Sequence, residues 1–168
     1  MSHDFDKLLR VGGVLPLLLQ SSGWCAMERG LELSEPIDLV KAIYIVDLEH
    51  VSNFWNDWQG LERFILAIPM VGGRKLTYLN RTAKLFELYI VGRDNPGQLV
   101  PFAPPSRDVQ EIAFAAQELA LDRNSDQPPS SCDLLWCACR LDTALSEALQ
   151  ESGLQIESLA AAIVQRRK

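Results

Sequence analysis

The apolar positions along the chain follow two different periods. Spacings of three and four residues predict helices, whereas β-branched runs and strict alternation predict strands. Residues 5–19 follow the helical period, and the Ser-Ser-Gly sequence at 21–23 predicts the end of this first helix. Residues 24–29 and 31–33 flank a Glu-Arg-Gly turn, which predicts a short β-hairpin.

The clearest strand pattern lies at residues 39–51. The centre of this run is β-branched, and charged side chains alternate with apolar ones near its end. Such a run is typical of a central strand with one solvated terminus. We therefore predict that residues 39–51 form the main strand of a sheet.

An amphipathic helix is predicted directly after this strand. Ser52 or Asn53 caps its first turn, and it ends before Pro69. Its apolar face carries Phe54, Trp58, Leu61 and Ile65. Residues 76–79 and 84–91 are two further strand-like runs around a turn, so they predict an antiparallel hairpin.

The C-terminal third has a helical pattern. A proline-rich connection at 101–105 leads to Asp108 and Glu111, whose spacing resembles a capping box and predicts a third helix. Residues 122–129 are polar and end in two prolines, which is typical of a linker. Two helical patterns separated by Gly153 follow this linker.

Together these elements predict an α+β fold, with an antiparallel sheet of about five strands packed with helices, plus a C-terminal helical hairpin. The predicted division is an α+β domain at 1–121, a linker at 122–130, and a hairpin at 131–168 that packs on the domain or on a partner. We find no internal repeat in the sequence.

Composition and charge narrow the class of protein. The chain has 168 residues, of which 48% are hydrophobic and 23% charged, as in a folded globular domain. No apolar run reaches the length of about 20 residues that a membrane span needs. A net charge of -6 argues against a nucleic-acid backbone or an anionic membrane as the main partner. Because the four cysteines lack a disulfide-like spacing, we expect a cytoplasmic protein.

Three of the four cysteines lie within eight residues, at Cys132, Cys137 and Cys139. Metal ligands must converge on one point, but this segment has a helical apolar stripe. On a helix Cys132 and Cys139 share a face, while Cys137 lies elsewhere. We therefore expect reduced thiols that pack as small apolar side chains, with no metal and no cofactor.

Two alternative functions depend on other residues. Asp47, Glu49 and His50 lie at the end of the predicted main strand, where a small enzyme or a ligand-binding protein could place a polar site. In a strand, however, Asp47 and Glu49 share one face and His50 lies on the other. The second alternative is nucleic-acid binding through the basic tail at 165–168, where the cations also suit the end of a helix.

The predicted order of elements over residues 4–120 resembles that of the type III secretion chaperones and their YbjN-like relatives. The resemblance is carried by residues 23–28 after the first helix and by the two glycines at 72–73 after the aromatic helix. It implies a dimeric, non-catalytic protein that binds partner polypeptides along an exposed apolar surface.

The favoured function is therefore a non-enzymatic protein-interaction module, chaperone-like or adaptor-like. We expect a homodimer, formed through apolar surface on the aromatic helix or on the C-terminal hairpin. Within the aromatic stretch Trp55 lies about 100° from the apolar face. Core packing is the favoured interpretation of these aromatic side chains, and an exposed interface anchor is the alternative. The interaction candidates are Trp55, Trp58, Leu134, Leu141 and Leu145.

Overall fold

The computed structural model describes residues 13–55, 58–67, 102–123 and 127–165. Within these ranges the chain is helical and has no strand. The helices are α1 (Leu15–Glu28), α2 (Pro36–Phe54), α3 (Gln59–Ala67), α4 (Arg107–Arg123), α5 (Ser131–Leu141), α6 (Thr143–Glu151) and α7 (Ile156–Gln165). The prediction of an α+β fold with a five-stranded sheet is therefore wrong. The pairing of Ser34 with Pro105 is an isolated parallel bridge outside any strand.

The predicted main strand at 39–51 is the central part of helix α2. Pro36 occupies the first turn, and a capping box joins Glu35 to Asp38, so the start of the helix has a strong local signal. Residues 38–45 are all buried. A helix that is buried on every side loses its polar face, and its apolar run then looks like that of a buried strand.

The predicted hairpin around Gly30 is the connection between α1 and α2. Helix α1 continues through residues 21–23, where the sequence predicted its end, and stops at Glu28. Gly30 has a positive φ of 77°, and the Leu31 N–H donates to the carbonyl of Ala26 at 3.0 Å. This is the Schellman arrangement that ends a helix at a glycine.

Two predicted helices are each divided. The aromatic helix is interrupted at Trp55, whose extended backbone (φ -137°, ψ 113°) separates α2 from α3. The first helix after the predicted linker is interrupted at Asp142, which separates α5 from α6. The helix predicted from Asp108 is confirmed as α4. The hairpin predicted at 76–91 lies outside the described residues.

One hydrophobic core unites the described helices. Helix α2 packs against α1 and α5, and α5 also packs against α4, α6 and α7. Helix α3 packs against α6 as well as α2. The C-terminal helices therefore share one core with the preceding helices.

The structure contains a repeat that the sequence alone does not reveal. Helices α1 to α3 form the first unit, and α4 to α7 form the second. An arginine at the end of the first helix of each unit binds a buried aspartate in the first turn of the next helix: Arg29 binds Asp38, and Arg123 binds Asp133. The counterparts are separated by about 95 residues.

The two units also match in their helix breaks and buried positions. The non-helical backbone of Asp47 inside α2 corresponds to the break at Asp142 between α5 and α6. Paired positions that are buried in both units are Leu15 and Val109, Leu18 and Ile112, Leu39 and Leu134, Val40 and Leu135, and Phe64 and Leu159. Several equivalent positions are therefore buried in both units, and both units have a non-helical residue at the equivalent aspartate.

Candidate protein-interaction surface

The strongest electrostatic contact in the described residues is the pair of Arg123 with Asp133. Two guanidinium nitrogens donate to the two carboxylate oxygens, each at 2.6 Å. The side chain of Asp133 is fully buried, and that of Arg123 is only 6% exposed. The hydrogen bond to Asp133 raises the pKa of Arg123, although burial acts in the opposite direction. Asp133 also accepts from the Ser130 N–H at 2.8 Å, so the pair fixes the start of α5.

The corresponding pair in the first unit is less enclosed. Arg29 donates to the two oxygens of Asp38 at 2.9 and 2.8 Å, and it also reaches Glu35 at 3.3 Å. The Arg29 side chain is 22% exposed. In both units the carboxylate is held by an arginine and by a backbone N–H, so we assign these pairs to the fold.

Asp47, Glu49 and His50 lie on helix α2, and the backbone is non-helical at Asp47. The Asp47 carboxylate accepts a hydrogen bond of 2.5 Å from the Ser131 hydroxyl at the start of α5. Its counterpart Asp142 instead caps α6 by accepting from a backbone N–H at 3.0 Å. Asp47 thus joins the two units.

The four cysteines are buried and form no disulfide, as predicted for packing side chains. Burial raises the pKa of Cys137 to about 11 and that of Cys139 to about 12. Negative charge nearby, from Asp133 for Cys137 and Asp142 for Cys139, acts in the same direction. Both thiols are therefore held in the protonated form, which is a poor nucleophile.

The raised pKa values predict slow alkylation of the native protein. At pH 8 about one Cys137 in a thousand and one Cys139 in ten thousand is a thiolate, against about one in ten for an unfolded thiol. We expect iodoacetamide to modify these positions at least about 100-fold more slowly than in guanidinium chloride, as measured by peptide mass spectrometry. Equal rates in the two conditions would contradict the burial of both thiols.

The same shifts predict that stability falls at alkaline pH. A thiol whose folded pKa is raised contributes stability below the unfolded value of 9.0, and this contribution is lost as pH rises toward about 11 and 12. Replacing both cysteines with alanine should remove this part of the pH dependence.

The interaction candidates from the sequence are placed in different environments. Trp55 is 1% exposed, and its indole N–H donates to the Ser158 hydroxyl at 2.6 Å. Leu134 and Leu145 are also buried in the core, and Trp58 is partly buried. Leu141 is different, because 53% of it is exposed at the end of α5.

Helix α5 also carries two side chains that were not among the interaction candidates. Leu141 follows Arg140 directly and lies about 140° around the helix from Trp136. Trp136 is partly exposed, and the guanidinium of the exposed Arg140 lies over its ring, 5.9 Å from the centroid. The sequence did contain a signal for this contact, because a tryptophan stands four residues before an arginine on a predicted helix. We call Trp136, Arg140 and Leu141 together the α5 surface.

The first unit shows how unusual this exposure is. The counterparts of Trp136 and Arg140 on helix α2 are Lys41 and Ile45, which are only 2% and 3% exposed. The counterpart of Leu141 is the partly buried Val46. The two positions that are buried in the first unit are therefore partly exposed at Trp136 and exposed at Arg140 in the second.

Other large apolar side chains are exposed singly. Met27, Leu33 and Leu121 are 48%, 49% and 59% exposed. Met27 and Leu121 occupy equivalent positions, two residues before the paired arginines. Isolated apolar residues are common on protein surfaces, so these positions need no partner.

The comparisons with known proteins give no relative from which a function could be transferred. No protein-family model, curated protein or solved structure matches the chain. In the part of the chain that the structure describes, no three His, Cys, Asp or Glu side chains are grouped as metal ligands. No helix in that part has the length and hydropathy to span a membrane.

Proposed function

We propose that this chain is a non-enzymatic protein-interaction module that binds a partner polypeptide through the α5 surface. One observation carries the proposal. The α5 surface is open, whereas the equivalent residues Lys41 and Ile45 on α2 are buried. Two positions that are buried on α2 are thus partly or fully exposed on α5.

The chemistry of the α5 surface supports a polypeptide partner. Tryptophan and arginine are the side chains most enriched among residues that dominate binding energy at protein interfaces. The ring of Trp136 already supports the Arg140 guanidinium, so two of the contact groups are partly ordered before binding. Leu141 adds an apolar side chain that gains from removal of water.

The two alternative functions have less support. An enzymatic site at Asp47, Glu49 and His50 has less support because the Asp47 carboxylate already accepts a hydrogen bond from Ser131. The basic tail that would bind nucleic acid includes residues 166–168, which lie outside the described ranges. An indole with a guanidinium also suits base stacking, so a single-stranded oligonucleotide is included in the test below.

Four buried cysteines without a disulfide fit a reducing compartment, so we propose a cytoplasmic location. The homodimer stays a prediction, with a second copy of the chain as the competing occupant of the α5 surface. The resemblance to type III secretion chaperones also stays a prediction.

We expect Leu141→Glu to abolish binding of apolar peptides. Wild-type protein is used to select peptides from a displayed library of random 12-residue sequences, and affinities of the selected peptides are measured by fluorescence anisotropy. A carboxylate in the middle of an apolar contact is desolvated without a partner, so affinity should fall by at least about tenfold.

Leu121→Glu is the matched control, because Leu121 is similarly exposed but lies on another helix. The affinity of this variant for the selected peptides should equal that of wild type. Thermal unfolding checks that both variants remain folded. Sedimentation equilibrium of wild type and Leu141→Glu tests whether a second copy occupies the surface. Failure to select any peptide, equal loss in the two variants, or tighter binding of a 12-nucleotide oligo-dT would each overturn the proposal.

A further inference from the structure

We draw no further inference here: the strongest candidate, the buried side chain of Lys41 on α2, which is 2% exposed and whose amino group makes no hydrogen bond or ion pair with the other described residues, carries nothing because a single amino group does not define which ligand it would bind.

Discussion

Asp133→Asn is expected to lower the free energy of unfolding by about 3 to 5 kcal/mol, the usual cost of breaking a buried ion pair. The replacement removes the charge that Arg123 binds at 2.6 Å and leaves the guanidinium in a site where its side chain is only 6% exposed. It also weakens the contact with the Ser130 N–H that begins α5. Urea unfolding followed by circular dichroism measures the change.

Two controls identify the origin of this loss. The double variant Arg123→Met with Asp133→Leu removes both charges, so it should recover much of the stability that the single change loses. Glu111→Gln breaks the exposed pair with Arg107, whose side chains are 91% and 54% exposed, and should cost less than about 1 kcal/mol.

The repeat predicts a graded result in the first unit. Asp38→Asn removes the equivalent carboxylate, but Arg29 is 22% exposed and keeps a contact with Glu35. The expected loss is about 1 to 3 kcal/mol, smaller than for Asp133. A loss at Asp38 that exceeds the loss at Asp133 would contradict the ranking of the two sites by burial.

The main error of the sequence analysis was the strand at 39–51. Its apolar residues are buried around the whole circumference of α2, so neither the helical nor the strand period stands out. A local signal was nevertheless present, because Glu35, Pro36 and Asp38 together form a typical helix start. The same kind of signal at Asp108 led correctly to α4.

The repeat and the α5 surface depend on contacts that no linear pattern contains. The units share few identical residues, and the link between Arg123 and Asp133 becomes visible only when both side chains are placed. Leu141 fits the apolar stripe of a longer helix, but the break at Asp142 leaves it 53% exposed. Burial of the cysteines, in contrast, followed from their helical spacing and was predicted correctly.

Gly23→Ala is expected to destabilise the protein by about 3 kcal/mol, although alanine is the better helix former. Gly23 lies within α1, where the segment before α4 crosses the helix at close range. A Cβ at this position would clash with the carbonyl oxygen of Ala103 and lie 3.0 Å from Cβ of Phe102. Because the nearest atom belongs to the backbone, the crossing segment itself must move.

The movement has a cost because residues 102–106 are held on both sides. Ser34 donates its N–H to Pro104 and accepts from the Ser106 N–H, each at 2.9 Å. The ring of Phe102 meets that of Trp24 edge to face, with centroids 6.5 Å apart. A shift large enough to admit the methyl group strains these hydrogen bonds and this ring contact together.

Gly30→Ala separates steric crowding from backbone conformation. Gly30 has nothing within 4 Å of the added Cβ, but its φ of 77° is unfavourable for alanine, so we expect a loss of about 1 to 2 kcal/mol. Helix propensity alone predicts that Gly23→Ala stabilises the protein by about 1 kcal/mol. Urea unfolding of Gly23→Ala therefore separates the two expectations by the sign of the change in unfolding free energy. A gain in stability would mean that α1 and the 102–106 segment are not in close contact.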